Sequence, residues 1–174
     1  MGIPIGDSIR LGMSTITTLH LMVGLPCSGK TTLARKLEKR YSALRLTPDE
    51  WHIRLFGHDF ADDMTKEDEA RHDARHGVVE SLMWEVAASV LVLGVDVILD
   101  FGFWGRNERD EFRSRAAELG VDFRIHFVDV SESVLFNRLE TRNAENPEGT
   151  FFIPEAKLKE WILMFEAPSQ EELE

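Results

Sequence analysis

The sequence predicts a three-layer α/β fold: a parallel sheet of four to five strands, helices on both faces, and a small lid. Three observations predict it. Segments of strand and helix character alternate along the chain, the pattern of a parallel sheet covered on both sides. Residues 95–99 are nearly continuously apolar, as a central strand buried on two faces must be. A glycine-rich turn, Gly24-Leu25-Pro26-Cys27-Ser28-Gly29-Lys30-Thr31, separates the first strand from the first helix, at the sheet edge where ligands gather.

Residues 17–23 read as a buried strand, and 32–38 as a helix with Leu33, Ala34 and Leu37 on one face. A short second strand covers 43–46. Thr47 then caps a helix with Pro48 in its first position, and Glu50 completes a capping box. Residues 57–68 form an acidic loop. A long helix spans about 66–93, with Val79, Leu82, Met83, Val86 and Val90 as its apolar stripe and Gly94 as its stop. The third strand is 95–99. A helix over 107–119 closes at Gly120. The fourth strand is 123–128, and Ser131 caps a helix running to about Arg142. Residues 143–150, with Asn, Pro and Gly, read as a mobile loop. The last helix, 154–165, carries Leu158, Trp161, Ile162 and Phe165 in register.

The 174 residues, 43% hydrophobic, make one domain over 14–174, with 1–13 expected as a flexible leader and the lid at about 138–153. No apolar run reaches the roughly 18 residues that span a bilayer, so no membrane association is expected. The single cysteine excludes an intramolecular disulfide framework and suits a cytoplasmic protein. A net charge of −11 argues against a broad nucleic-acid surface, leaving room for a local basic cleft.

The turn is a complete phosphate-binding motif, G-x-x-x-x-G-K-[ST]. Gly24 and Gly29 let the backbone curl so that N–H groups converge on a phosphate. Lys30 places a charge at the β- and γ-phosphates, and the Thr31 hydroxyl faces Mg²⁺. The following helix turns its positive end to the anion. Residues Gly24 to Thr31, with Thr32 and Arg138, are the expected nucleotide contacts.

Asp49 follows the second strand at the ligand-binding edge. Its carboxylate either takes the proton of an attacking hydroxyl or complements the helix dipole. Asp100 ends the third strand and either supports Mg²⁺ through water or is a polar terminus. The Phe101-Gly102-Phe103-Trp104-Gly105 loop lines an acceptor pocket or packs over the strand ends. Arg138 and Arg142, four apart on one helical face, have the layout of a lid that brings guanidinium groups over a transferring phosphoryl; a solvated basic face is the plainer use. His52, Arg54 and Arg75 are candidates to face the cleft. Arg106 and Arg109 contact substrate or pair with Glu108, Asp110 or Glu111. His72 and His76 are also four apart, but they lack the Glu of a zinc-protease helix and a third ligand. His20 and His126 read as buried strand residues. Cys27 is a small turn residue or an oxidation-sensitive thiol.

The motif from Gly24 to Thr31, the Asp49 helix start, Leu99-Asp100-Phe101-Gly102-Phe103-Trp104 with Arg109, and the lid Arg138-Leu139-Glu140-Thr141-Arg142-Asn143 together resemble the small P-loop kinases of the nucleotide-kinase-like group. These are related to polynucleotide 5′-hydroxyl kinases and zeta-toxin-like kinases. The resemblance covers about 15–174. It implies a P-loop NTPase fold, ATP, Mg²⁺, and phosphoryl transfer to a hydroxyl, with Asp49 as general base and Thr31 with Asp100 at the metal. Lys30, Arg138 and Arg142 would stabilise charge, and the tail Phe165-Glu166-Ala167-Pro168 with Glu171-Glu172-Leu173 would pack near the adenine. His52 stands where polynucleotide kinases carry an Arg for the acceptor phosphate, which weighs against nucleic acid. The expected activity is an ATP-dependent kinase acting on a small hydroxyl-bearing molecule, with His52, Arg54, Arg75, Phe103, Trp104 and Arg109 as acceptor contacts. Alternatives are a polynucleotide 5′-hydroxyl kinase and a nucleotide-dependent switch or ATPase, for which the chain carries no Asp-x-x-Gly segment.

Overall fold

The apolar runs pair as four parallel strands in the order β2-β3-β1-β4: β1 Thr18–Val23, β2 Leu44–Leu46, β3 Val97–Gly102 and β4 Asp122–Phe127. This computed structural model describes residues 16–61, 64–145, 147 and 149–174; the expected leader, 1–13, lies outside them. Every residue of β1 is buried. Its two faces feed two separate cores, because successive side chains of a strand point to opposite sides.

Leu19, Leu21 and Val23 face a core completed by β3, by helix α3 (Lys66–Val92) and by helix α4 (Arg106–Leu119). Met22 turns the other way, with Ile98, onto Ala34 and Leu37 of helix α1 (Lys30–Tyr41). Each fully buried aliphatic side chain here contributes about 1.5–3 kcal/mol. A third cluster joins Leu135 and Leu139 of helix α5 (Glu132–Glu145) to Ile153 and to Leu158 of helix α6 (Glu155–Met164), and it anchors the lid. Among the described residues no helix is long and apolar enough to cross a membrane.

Four local expectations are corrected. The capping box at helix α2 (Pro48–Phe56) does not form. Glu50 takes Arg45 at 3.2 Å and Arg35 at 3.4 Å, because two guanidinium groups reach it and win over one backbone N–H. The stripe of α3 is rotated: Val79, Met83, Ala87 and Leu91 are buried, while Leu82 is 47% exposed. Strict i, i+4 spacing keeps the smaller set against the sheet. Strand β3 runs on to Gly102, so Asp100 lies within it. Helix α5 continues to Glu145, into the segment expected as loop. A short helix α7, Gln170–Leu173, closes the tail.

Candidate functional site

The phosphate turn sits where β1 ends, and its shape depends on backbone conformations that side chains resist. Gly24 has φ 145°, and a Cβ there would meet the Val128 carbonyl oxygen at 2.7 Å. Gly29 has φ 109°, and Cys27 is also left-handed at 65°. The Gly24 N–H donates to the Gly102 carbonyl at 3.0 Å, tying the turn to the end of β3. The β1–β3 register slips between Leu21, opposite Leu99, and Val23, opposite Gly102, so β3 carries one extra residue there. Such a bulge re-aims side chains, and Asp100 lies in it.

These elements open on a cavity of about 940 Å³, large for a ligand site and lined by Pro26 to Thr32, Asp49, Asp100, Arg138 and Arg142 among others. Lys30 Nζ donates to the Leu25 carbonyl at 2.8 Å across the turn. Burial lowers its ammonium to about 8, although Asp100 and Asp49 pull the other way. Asp100 is pushed up by burial, with Thr31 bonded to it and Lys30 nearby opposing. The Thr47 hydroxyl also donates to its Oδ2 at 3.4 Å.

The residues present fit a nucleotide and its cation. Asp100 Oδ1, Ser28 Oγ and Arg142 Nε are buried polar atoms with no partner among the described residues, and all three side chains line the cavity. Buried polar groups are normally paired, so these are the atoms a phosphate, a hydrated cation or both would satisfy.

Asp49 lies in the first turn of α2, and its side chain, 43% exposed, lines the same cavity as the turn. Nε2 of His76 donates to Asp49 Oδ1 at 3.4 Å, and Nδ1 of the same ring lies 3.5 Å from Glu80 Oε1. Burial would raise the Asp49 carboxyl; the His76 bond, with Arg142 and Lys30, holds it below its ordinary range. His76 in turn is raised by Asp49 and Glu80 against burial. Burial lifts Glu80 to about 7, with His76 opposing. His76 was missed as the partner of Asp49, and Glu80 as the partner of His76. The signal was present: residues 76 and 80 share a helical face, but only the fold brings that face to α2.

Arg138 and Arg142 do converge on the turn. Arg138 donates to the carbonyls of Ser28 at 2.6 Å and Cys27 at 3.2 Å. Arg142 reaches the Cys27 sulfur at 3.9 Å and donates to the Phe151 carbonyl at 3.1 Å. Asn143 closes the lid by donating to and accepting from Ile153, at 2.7 and 3.2 Å.

The acceptor expectations divide. Trp104 lines the cavity; Phe103 and Arg109 do not. Phe103 is buried against Phe101 and Phe112, so it belongs to the core. Arg109, 1% exposed, bonds Glu172 at 2.7 Å and the carbonyls of Phe103 and Glu166. This ties the C-terminal tail to α4, and the Arg109 bond holds the Glu172 carboxyl at about 2. The pairing partners expected for Arg109 were the neighbouring acids, but an inward-facing arginine needs a buried carboxylate. Arg106 pairs with Asp110 and Glu171. Arg54 is exposed on α2.

His52 is fully buried behind the cavity-lining rings of His72 and Phe151, and it bonds Asp59 rather than lining the cavity itself. Asp59 Oδ1 accepts from His52 and from His72, each at 2.7 Å, while Arg75 donates to Oδ2 at 3.0 Å. Those three bonds overcome burial and hold Asp59 at about 2. The knot pins the loop after α2 onto α3, and only His72 of it borders the cavity. The ligand atoms of His52, Asp59 and His72 lie within 4.8 Å of one another; His76, four residues on, is not among them and bonds Asp49 instead.

An AAA domain family model matches residues 19–168. Solved structures share the fold. A sugar kinase from Janibacter sp. HTCC2649 is 20% identical, with a TM-score of 0.58 over 91% of this chain and 82% of its own. Kti12 from Chaetomium thermophilum, solved with ADP-AlF3, is 18% identical, with a TM-score of 0.59 over 88% of this chain and 82% of its own. The Pnkp1/Rnl/Hen1 RNA repair complex contains a chain 20% identical, with a TM-score of 0.65 over 90% of this chain and 46% of that one. No curated protein matches the sequence.

Proposed function

The chain belongs to the AAA domain family, and from that premise we propose that it is an ATP-dependent kinase phosphorylating a hydroxyl of a small molecule. The observation that carries this reading is that Asp49 and the phosphate turn line one cavity, with Asp49 close enough to Lys30 for each to shift the other's charge. Its expected cation, Mg²⁺ held near Thr31 and Asp100, would neutralise charge on the β- and γ-phosphates.

The chain's own residues do the rest. The turn's N–H groups and Lys30 bind and orient the triphosphate. Asp49, ionised and steadied by His76, accepts the proton of the acceptor hydroxyl as its oxygen bonds to the γ-phosphorus. The bond from that phosphorus to the bridging oxygen breaks, and ADP leaves. Arg138 and Arg142 stabilise the charge on the transferring group, and the lid, fastened at Asn143 and Ile153, excludes water. A reducing cytosol, where Cys27 stays a thiol, is the compartment that suits this chemistry.

The test is incubation of the protein with ATP, Mg²⁺ and a library of metabolites and antibiotics, read by mass spectrometry. A gain of about 80 Da on one hydroxyl compound, the mass of HPO₃, is expected. Tight nucleotide binding with ATP turnover that phosphorylates no compound would favour a switch or ATPase and overturn the kinase.

A further inference from the structure

Resting on the kinase reading, we infer that the acceptor is an alcohol free of phosphate and carboxylate groups, with a flat apolar face seated on Trp104 and Trp161. The charges lining the cavity are divided. Its basic side chains, Lys30, Arg35, Lys36, Arg138 and Arg142, belong to α1 and α5 around the phosphate turn. Arg35 is further tied to Glu50. The wall beyond Asp49 carries Asp73 and His76 with the aromatic rings of Phe60, Phe101, Trp104 and Trp161, and no Lys or Arg among its described residues.

Arg142 is engaged by the Phe151 carbonyl and the Cys27 sulfur on the side of the phosphate turn, and Arg75 of α3 lies outside the cavity lining. The guanidinium of Arg75 donates to Asp59 at 3.0 Å and lies over the Phe56 ring at 4.9 Å. Recognition of an acceptor phosphate or carboxylate takes a guanidinium fork or a lysine. Here such an anion would meet Asp49 and Asp73, and the imidazoles beside them are already held, His76 by Asp49 and Glu80 and His72 by Asp59; like charges in a recessed site repel.

What the wall does offer is aromatic surface. The Trp104 and Trp161 ring centroids lie 5.3 Å apart at 51°, and Phe60 lies 6.0 Å from Trp161. These rings come from three separate segments and converge on one corner, the arrangement that holds a ring or a sugar face. Asp73, exposed and without an ion-pair partner among the described residues, admits an amine on the same acceptor. A 5′-hydroxyl polynucleotide, whose neighbouring phosphate needs a cation, does not fit this wall.

The experiment pairs uncharged alcohols (nucleosides, aryl glycosides, aryl amino-alcohols) with their phosphate esters that keep a free hydroxyl, plus a 5′-hydroxyl oligonucleotide. ATP–Mg²⁺ binding is titrated separately. We expect at least one uncharged or amine-bearing member to be phosphorylated about tenfold or more faster than its phosphate ester. Trp161→Ala should raise the KM of that acceptor about tenfold, well beyond any rise in the KM of ATP from loosening the cluster that Trp161 shares with Leu25 and Cys27. Asp73→Arg, an exposed change that spares the core, should narrow the gap between alcohol and ester. Equal or faster turnover of the esters or the oligonucleotide overturns the acceptor class and leaves the kinase standing. So does ATP binding with every uncharged member inert. Failure of ATP titration removes the kinase reading and this one with it.

Discussion

Around the phosphate turn, eight consecutive residues, Gly24 to Thr31, supply the cradle, its lysine and its hydroxyl. The acceptor side takes Asp49 from α2, His76 from α3, Phe60 from the loop between them, Trp104 from beyond β3 and Trp161 from α6. The first half is local: its geometry follows from left-handed glycines and one bond to β3. The second half exists only while several elements stay docked. Two buried charge knots do that docking. One is His52–Asp59–His72 with Arg75, and the other is Arg109 with Glu172. The difference teaches that one face of the cleft resists distant mutation and the other does not.

Four measurements would break or sharpen that contrast. The largest effect is expected at the shared point: Asp49→Asn should cut phosphoryl transfer about 10²–10⁴-fold, the span of general-base catalysis, while calorimetric ATP affinity holds. Near-normal turnover by that variant would remove Asp49 from its role. Next, Arg109→Ala leaves Glu172 buried and uncompensated, and urea unfolding should show a loss of about 3–5 kcal/mol. Its surviving folded fraction should bind ATP normally, since the knot lies outside the phosphate turn. A fall in ATP affinity as large as the fall in stability would erase the distinction between the halves.

Smaller still, Asp59→Asn leaves Oδ1 and its two histidine donors in place but removes the charge. A loss of about 1–3 kcal/mol is expected, read from the same unfolding curves. Because Asp59 is held at about 2 in the folded protein, its contribution is complete above the ordinary Asp range, near pH 4, and disappears as pH falls through about 2. The variant should therefore flatten the acid limb of the stability curve; an unchanged limb would show that Asp59 is not its source. The mildest effect concerns Lys30. Its ammonium, at about 8 in the free protein, binds phosphate only when protonated. ATP affinity should be level below pH 8 and weaken above it by up to about tenfold per pH unit. A level profile to pH 10 would mean that the backbone N–H groups carry the binding without it.

Much of the phosphate half was legible in the chain. The motif, the strand before it and the helix after it needed only neighbours in sequence, and Arg138 with Arg142 followed from helical spacing. Glu50 was misread because capping competes with guanidinium groups, and nothing local shows that Arg35 and Arg45 both reach it. Leu82 and Met83 are equally apolar, yet one is exposed and the other buried; which side of α3 meets the sheet is set by docking, not by hydropathy. Phe103 and Trp104 are adjacent aromatics with opposite fates, one in the core and one in the cavity, since the chain turns at Phe103, whose φ is 46°, just past the end of β3.

By itself the amino-acid order determined the fold class and the nucleotide cradle, because a glycine's freedom, a strand's alternation and a helix terminus act over a few residues. Tertiary structure alone decided the partners of Asp49, the withdrawal of Arg109 and His52 from the cavity lining, and the aromatic corner of Phe60, Trp104 and Trp161. Those depend on contacts between residues far apart in the chain, 63 positions for Arg109 and Glu172 and 101 for Phe60 and Trp161, and burial chooses which charges must meet there.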